Sequence, residues 1–183
     1  MIEKELKAML TGEEYDDIAR LFQWDSKIAQ TNHYYTDNDG TLKKNGITFR
    51  IRTIEGKSII QVKKHINKNS ALQISEEKEF PVDILPKSFT ENEIEAMTSI
   101  KSAVSYIGDL TTLRYSFMFS DGVEICLDRN DYLDRTDYEI EIEYTSPIPD
   151  ELLEILEKVG VRFDKPARGK FSRFMTRLAE ILQ

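Results

Sequence analysis

Cysteine and histidine are close to absent from this chain, and their scarcity removes whole classes of chemistry. The single cysteine, Cys126, leaves no partner for an internal disulfide and no set of thiolates for a metal cluster. It lies in the apolar run Val123, Ile125, Leu127, which reads as a quiet buried thiol. The two histidines, His33 and His65, stand in polar turn or strand-end contexts that suit a solvated imidazole. Neither gives a convincing Ser-His or Cys-His nucleophile pair. No apolar run approaches the roughly 20 residues needed to cross a bilayer, and no secretory leader is visible. The expectation is a cytoplasmic protein with no membrane partner. Low-complexity linkers and tandem repeats are lacking too, and 183 residues suffice for one buried domain spanning 1–183. Basic residues are outnumbered by acidic ones, 25 to 33. The net charge of −8 argues against free nucleic acid as a partner of the outer surface.

What the chain does have is a succession of strand-sized runs rich in Ile, Val, Phe, Tyr and Thr. They fall at about 2–10, 29–37, 46–54, 58–65, 72–80, 111–119, 122–129 and 137–145. Asp39-Gly40, Glu55-Gly56 and Asp121-Gly122 read as hairpin turns in which glycine supplies positive φ. Helices are expected at 11–24, 90–107, 149–159 and 166–182. Thr11 with Glu14, and Thr90 with Glu93, form capping boxes. Pro149 suits a first helical turn and Gly160 a stop, and Pro166 stands where a last helix could begin. Eight strands joined by hairpins, with a few helices, make an α+β domain with a mainly antiparallel sheet. Eight strands can close into a barrel with a narrow interior.

Charge recurs at alternate positions of these runs. Glu3, Glu5 and Lys7 share a face if residues 2–10 are a strand. That window alone reads more like an amphipathic helix than a strand, with Ile2, Leu6, Met9 and Leu10 at helical spacing, but the capping box at Thr11 starts a new helix immediately after it. Arg50 and Arg52 flank Ile51, Gln61 precedes Lys63 by two, Glu77 and Glu79 flank Lys78, Arg114 lies mid-run, and Asp128 ends its strand. Glu139, Glu141 and Glu143 alternate with Ile140 and Ile142.

Any one of these strands could be a half-exposed sheet with its charged face in water. Taken together they argue otherwise. Three carboxylates spaced about 7 Å apart along a strand repel one another unless cations intervene. Acids and bases are also segregated by strand, which suits a ligand needing metal ions at one wall and cations for an anion at the other. A polyphosphate with a divalent metal meets both needs: carboxylates hold Mg²⁺ or Mn²⁺, and arginine and lysine hold phosphate oxygens. A water-derived nucleophile is then the simplest proposal.

These residues resemble the CYTH domain, the triphosphate tunnel metalloenzymes. The E-x-E-x-K motif is matched by Glu3, Glu5 and Lys7, the arginine strand by Phe49 to Arg52, the strand lysine by Lys63, and the later E-x-E by Glu139 and Glu141. The order is kept over nearly the whole chain. Asn32-His33-Tyr34-Tyr35 and Gly169 to Phe174 look like the small bacterial YjbK-like branch. The resemblance implies an eight-stranded antiparallel tunnel with flanking helices, and with it a strand at 2–10. It implies that Lys7, Arg50, Arg52, Lys63, Arg114 and Lys170 bind a triphosphate, with Lys165 the alternative to Lys170. Glu3, Glu5, Asp128, Glu139 and Glu141 would hold or position metal and the attacking water, with Glu3, Glu5, Lys7 and Lys63 as the catalytic set. Glu77 or Glu79 would line the acidic side, and which pair among Glu139, Glu141 and Glu143 faces the metal stays open.

The function implied is a metal-dependent triphosphatase using Mg²⁺ or Mn²⁺ on tripolyphosphate or a small organic triphosphate, as a monomer or homodimer. A class IV-type adenylyl cyclase and a non-catalytic triphosphate-binding module are the alternatives.

Overall fold

The computed structural model describes residues 1–67 and 72–183. Its strands are β1 (Ile2–Leu10), β2 (Ser26–Thr36), β3 (Ile47–Ile54), β4 (Lys57–His65), β5 (Leu72–Pro81), β6 (Ser88–Phe89), β7 (Val104–Ser120), β8 (Val123–Tyr132) and β9 (Arg135–Tyr144). The helices are α1 (Gly12–Leu21), α2 (Thr41–Lys44), α3 (Glu91–Thr98), α4 (Asp150–Lys158) and α5 (Lys170–Ile181). The sheet runs β2-β3-β4-β5-β1-β9-β8-β7, and β2 pairs with β7, so eight antiparallel strands close on themselves. β6 adds a short edge to β7.

The barrel is inverted relative to a packed core. Outward positions are apolar and are covered by helices, whereas inward positions are polar. Ala8 of β1, Val123, Ile125 and Leu127 of β8, and Ile140 and Ile142 of β9 pack outward against Tyr15 and Ile18 of α1 and Leu152 and Leu156 of α4. A second layer joins Phe49, Ile51, Ile60 and Val62 to Leu42 of α2, Phe89 of β6 and Ile94 of α3. Because side chains alternate along a strand, burying these residues outside sends their charged neighbours inside. At one end of the barrel, Tyr34, Leu110 and Tyr132 meet Phe174 of α5, so α5 lies across that mouth.

Both capping boxes form as the sequence predicts, at Thr11–Glu14 and Thr90–Glu93. Glu55 and Gly56 take φ 49° and 78°, the left-handed pair of a tight β3–β4 hairpin. Asp39-Gly40 is not a hairpin turn. Gly40 (φ 65°) instead precedes α2, and Asp37 accepts hydrogen bonds from the amides of Thr41 (2.5 Å) and Leu42 (3.0 Å) at the start of that helix. The helix expected over 90–107 stops at Thr98, where Ser99 turns left-handed at φ 62°. Beyond it, Val104 opens β7, whose 17 residues reach both β2 and β8 and far exceed the expected 111–119. The last helix begins at Lys170 rather than Pro166; the amide of Arg173 bonds to the Gly169 carbonyl at 3.1 Å as its first helical bond. Among the described residues, no helix is long and apolar enough to cross a membrane.

Candidate functional site

Alternation turns the charged positions of six strands into one lining. Glu3, Glu5 and Lys7 come from β1, Thr48, Arg50 and Arg52 from β3, and Lys63 and His65 from β4. Glu77 comes from β5, Arg114 from β7, and Glu141 and Glu143 from β9. They border a cavity of about 820 Å³, which α5 closes with Lys170, Phe171 and Met175. Register fixes who meets whom: Lys7 lies opposite Glu141, Glu5 opposite Glu143, Arg114 opposite Asp128, and Lys63 opposite Glu77.

Two groups of carboxylates sit in this interior, each with oxygens within 4.8 Å of one another. The first is Asp128, Glu139 and Glu141, and it is filled with cations. Lys170 Nζ lies 2.8 Å from Asp128, 2.5 Å from Glu139 and 2.9 Å from Glu141. Lys7 Nζ lies 2.7 Å from Glu141. Arg114 grips both oxygens of Asp128 at 2.8 and 2.7 Å and also bonds Glu141. Arg173 reaches Glu139 at 3.0 Å. Burial alone would lift these carboxyls, but Lys170 and Lys7 outweigh it and hold Glu139 and Glu141 below the usual carboxylate range. In turn the carboxylates overcome burial and raise Lys7 and Lys170.

The second group, Glu3, Glu5 and Glu143, is short of cations. Lys63 Nζ meets Glu3 at 2.6 Å, Lys7 meets Glu5 at 3.3 Å, and Arg114 meets Glu143 at 3.3 Å. Burial pushes the Glu143 carboxyl up to about 7; Arg114 opposes this, and the charges of Glu141, Glu3 and Glu5 add to it. Lys63 outweighs burial at Glu3 and holds it below its ordinary value. Three hard oxygen donors with incomplete neutralisation fit a divalent cation chemically.

Across the cavity the balance reverses. Arg50 donates to Gln61 at 2.9 Å and has only a 3.5 Å contact with Glu77. Arg52 donates through Nε to Asn32 Oδ1 at 3.0 Å. No carboxylate of the described residues is within salt-bridge distance of it. Burial, then the charges of Arg50 and Arg114, bring its guanidinium down to about 10. A cation placed among cations is a ready partner for an anion.

The residues read from the sequence as catalytic, metal-holding or phosphate-binding thus lie in this interior, the alternative Lys165 excepted. Glu139, Glu141 and Glu143 all face inward, so strand register does not choose between them; their neighbours do. Lys170 is buried in the interior, whereas Lys165 is exposed. Glu77 lines the cavity, whereas Glu79 accepts a 2.8 Å bond from Gln61. Cys126 is buried as expected, and burial raises its thiol.

The histidines differ from expectation. His33 is not solvated: on the outer face it bridges Asp109 at 2.6 Å and Thr53 at 3.1 Å. His65 borders the cavity, where burial and then the charges of Lys63, Lys7 and Arg50 bring it down to about 4. Sequence reading missed Arg173 and Asn32. Asn32 had a signal, its place two residues before Tyr34 on a barrel strand. Arg173 had only helical spacing from Lys170.

A CYTH domain model matches residues 1–173. A Bacillus subtilis (strain 168) protein, provisionally named triphosphatase YjbK, is 31% identical over 147 residues, covering 78% of this chain and 77% of its own. A Bacillus halodurans structure, provisionally called an adenylate cyclase, superposes with TM-score 0.70 at 27% identity over 93% of this chain and 95% of its own. A Hippeastrum protein, provisionally an adenylyl cyclase and described as having a dominant triphosphatase activity, superposes with TM-score 0.77 at 20% identity, over 96% of each chain.

Proposed function

The chain belongs to the CYTH family, and on that premise we propose that it is a metal-dependent triphosphatase acting on tripolyphosphate or a small organic triphosphate. The observation that carries this reading is the pairing, in one cavity, of a carboxylate group short of cations with an arginine that has no carboxylate. Glu3, Glu5 and Glu143 would hold Mg²⁺ or Mn²⁺. The metal would supply Lewis-acid neutralisation of phosphate charge and a more acidic water. Arg52, Arg50 and Lys63 would hold non-bridging phosphate oxygens and keep the chain of phosphates in line. Lys7 and Arg114 each bridge the two carboxylate groups and would fix the distance between them. Asp128, Glu139 and Glu141 anchor Lys170, and with it the first turn of α5 over the mouth.

In the reaction, a water oxygen attacks the terminal phosphorus and its proton passes to a carboxylate. The phosphoanhydride oxygen leaves on the diphosphate, and orthophosphate is released. The bacterial relative named as a triphosphatase supports this reading. The test is phosphate release from tripolyphosphate, ATP and thiamine triphosphate with Mg²⁺, Mn²⁺ or EDTA, alongside Glu5→Ala. Metal-dependent release that the variant abolishes is expected. No release, with thermal stabilisation by tripolyphosphate, would instead indicate a binding module.

One observation favours a second reading: the Bacillus halodurans neighbour, 27% identical, carries a cyclase name. ATP turnover separates the two. Cyclic AMP with pyrophosphate marks a cyclase, and ADP with phosphate marks the triphosphatase.

A further inference from the structure

Six cations reach the barrel interior with a carboxylate beside them: Lys7, Arg50, Lys63, Arg114, Lys170 and Arg173. Arg52 is the exception among the described residues. Its Nε is held by Asn32 Oδ1 at 3.0 Å, across the β2–β3 ladder where the two residues are register partners. Asn32 is wholly buried, and its Nδ2 has no hydrogen-bond partner. A buried, half-satisfied amide beside a half-buried arginine is a costly choice for stability alone. An aspartate of the same shape would pair the guanidinium and remove the orphan donor.

We propose that Asn32 is a positioning residue that orients Arg52 through a neutral acceptor, so that its terminal nitrogens keep their charge for an anionic group of the substrate. The inference rests on the polyphosphate reading of the cavity and adds a residue to it. Asparagine at this place satisfies Nε and fixes the plane of the fork, and it leaves the positive charge uncompensated. An acid there would satisfy the same nitrogen and cancel the charge that the ligand needs. The expectation is a trade: a substitution that helps the empty protein harms its hold on the anion.

The test is Asn32→Asp, with Asn32→Leu as a second variant that removes the acceptor without adding charge. Thermal stability is measured without ligand, and tripolyphosphate affinity by calorimetry in EDTA, so that turnover does not enter. Asn32→Asp is expected to melt at or above the wild-type temperature, and to bind tripolyphosphate more weakly by roughly tenfold or more, the scale of a lost charge-assisted hydrogen bond. Asn32→Leu is expected to weaken binding as well, with no gain in stability. Wild-type affinity in both variants would overturn the inference and leave the polyphosphate reading intact. A destabilised Asn32→Asp with affinity loss no greater than that of Asn32→Leu would also overturn it, because Asn32 would then be a packing residue. No tripolyphosphate binding by the wild type would remove the polyphosphate reading itself, and this inference with it.

Discussion

The two groups inside the barrel are each built from three carboxylates and share strand β9, yet they stand in different electrostatic states. Asp128, Glu139 and Glu141 are surrounded by Lys7, Lys170, Arg114 and Arg173, with contacts mostly at 2.5–3.0 Å. Glu3, Glu5 and Glu143 share Lys63, Lys7 and Arg114, and two of those contacts stretch to 3.3 Å. The first group behaves as a structural clasp, because each buried charge has an opposite charge and hydrogen bonds to repay its desolvation. The second keeps unspent negative charge facing a cavity. Composition does not separate a clasp from a candidate metal site here; the neighbouring cations do.

Substitutions should split the two groups apart. The largest effect is expected at Glu5, where Glu5→Gln keeps shape and removes charge; phosphate release should fall at least about 100-fold, on the scale of several kcal/mol that a bound metal supplies. Turnover near the wild-type rate in that variant would move the metal away from this group. Lys170→Met should act mainly on the clasp. It leaves three buried carboxylates without their shared ammonium, and removal of one partner of a buried pair costs about 3–5 kcal/mol. Chemical denaturation reads this directly, and an unchanged midpoint would mean that the clasp does not hold α5. Arg52→Ala should raise KM for tripolyphosphate by about tenfold, on the scale of one charge-assisted contact. Unaltered kinetics would count against a phosphate-facing β3.

Glu143→Gln offers the sharpest contrast with Lys170→Met. Removing a carboxyl that burial and like charges already push up to about 7 should leave ligand-free stability within about 1 kcal/mol, in the range of an ordinary mild substitution. A loss as large as that of Lys170→Met would erase the distinction between the groups. The smallest effect concerns pH. His65 is brought from 6.5 to about 4 by burial and then by Lys63, Lys7 and Arg50. Between those values the unfolded chain binds a proton that the folded chain does not, so stability falls as pH is lowered through that window. His65→Gln should remove this part of the acid sensitivity, seen as a shallower fall of melting temperature from pH 6.5 to 4. Identical slopes would show that His65 is not held neutral.

Much of this was legible beforehand, for a definite reason. Alternation along a strand places Glu3, Glu5 and Lys7, or Glu139, Glu141 and Glu143, on one face without reference to anything else in the molecule. The same holds for the capping boxes at Thr11 and Thr90, whose partners lie three residues away. Elements whose formation depends on distant partners are not legible in this way. β7 extends back to Val104 because β2 and β6 offer hydrogen bonds there, whereas the local pattern favours a helix as far as residue 107. The start of α5 shifted by four residues to Lys170, whose ammonium is buried among three carboxylates from β8 and β9.

By itself, the sequence determined the strand alternation, the antiparallel hairpin order and the roster of charged residues that share a face, because these depend on spacing along the chain. Only the tertiary structure decided which acids are neutralised and which are left open. That outcome depends on closure of β2 against β7, on Lys170 arriving from the far end of the chain, and on a neutral Asn32 rather than an acid standing next to Arg52. Electrostatic state is a property of neighbours across a few ångströms of space, and those neighbours are tens of residues apart in the chain.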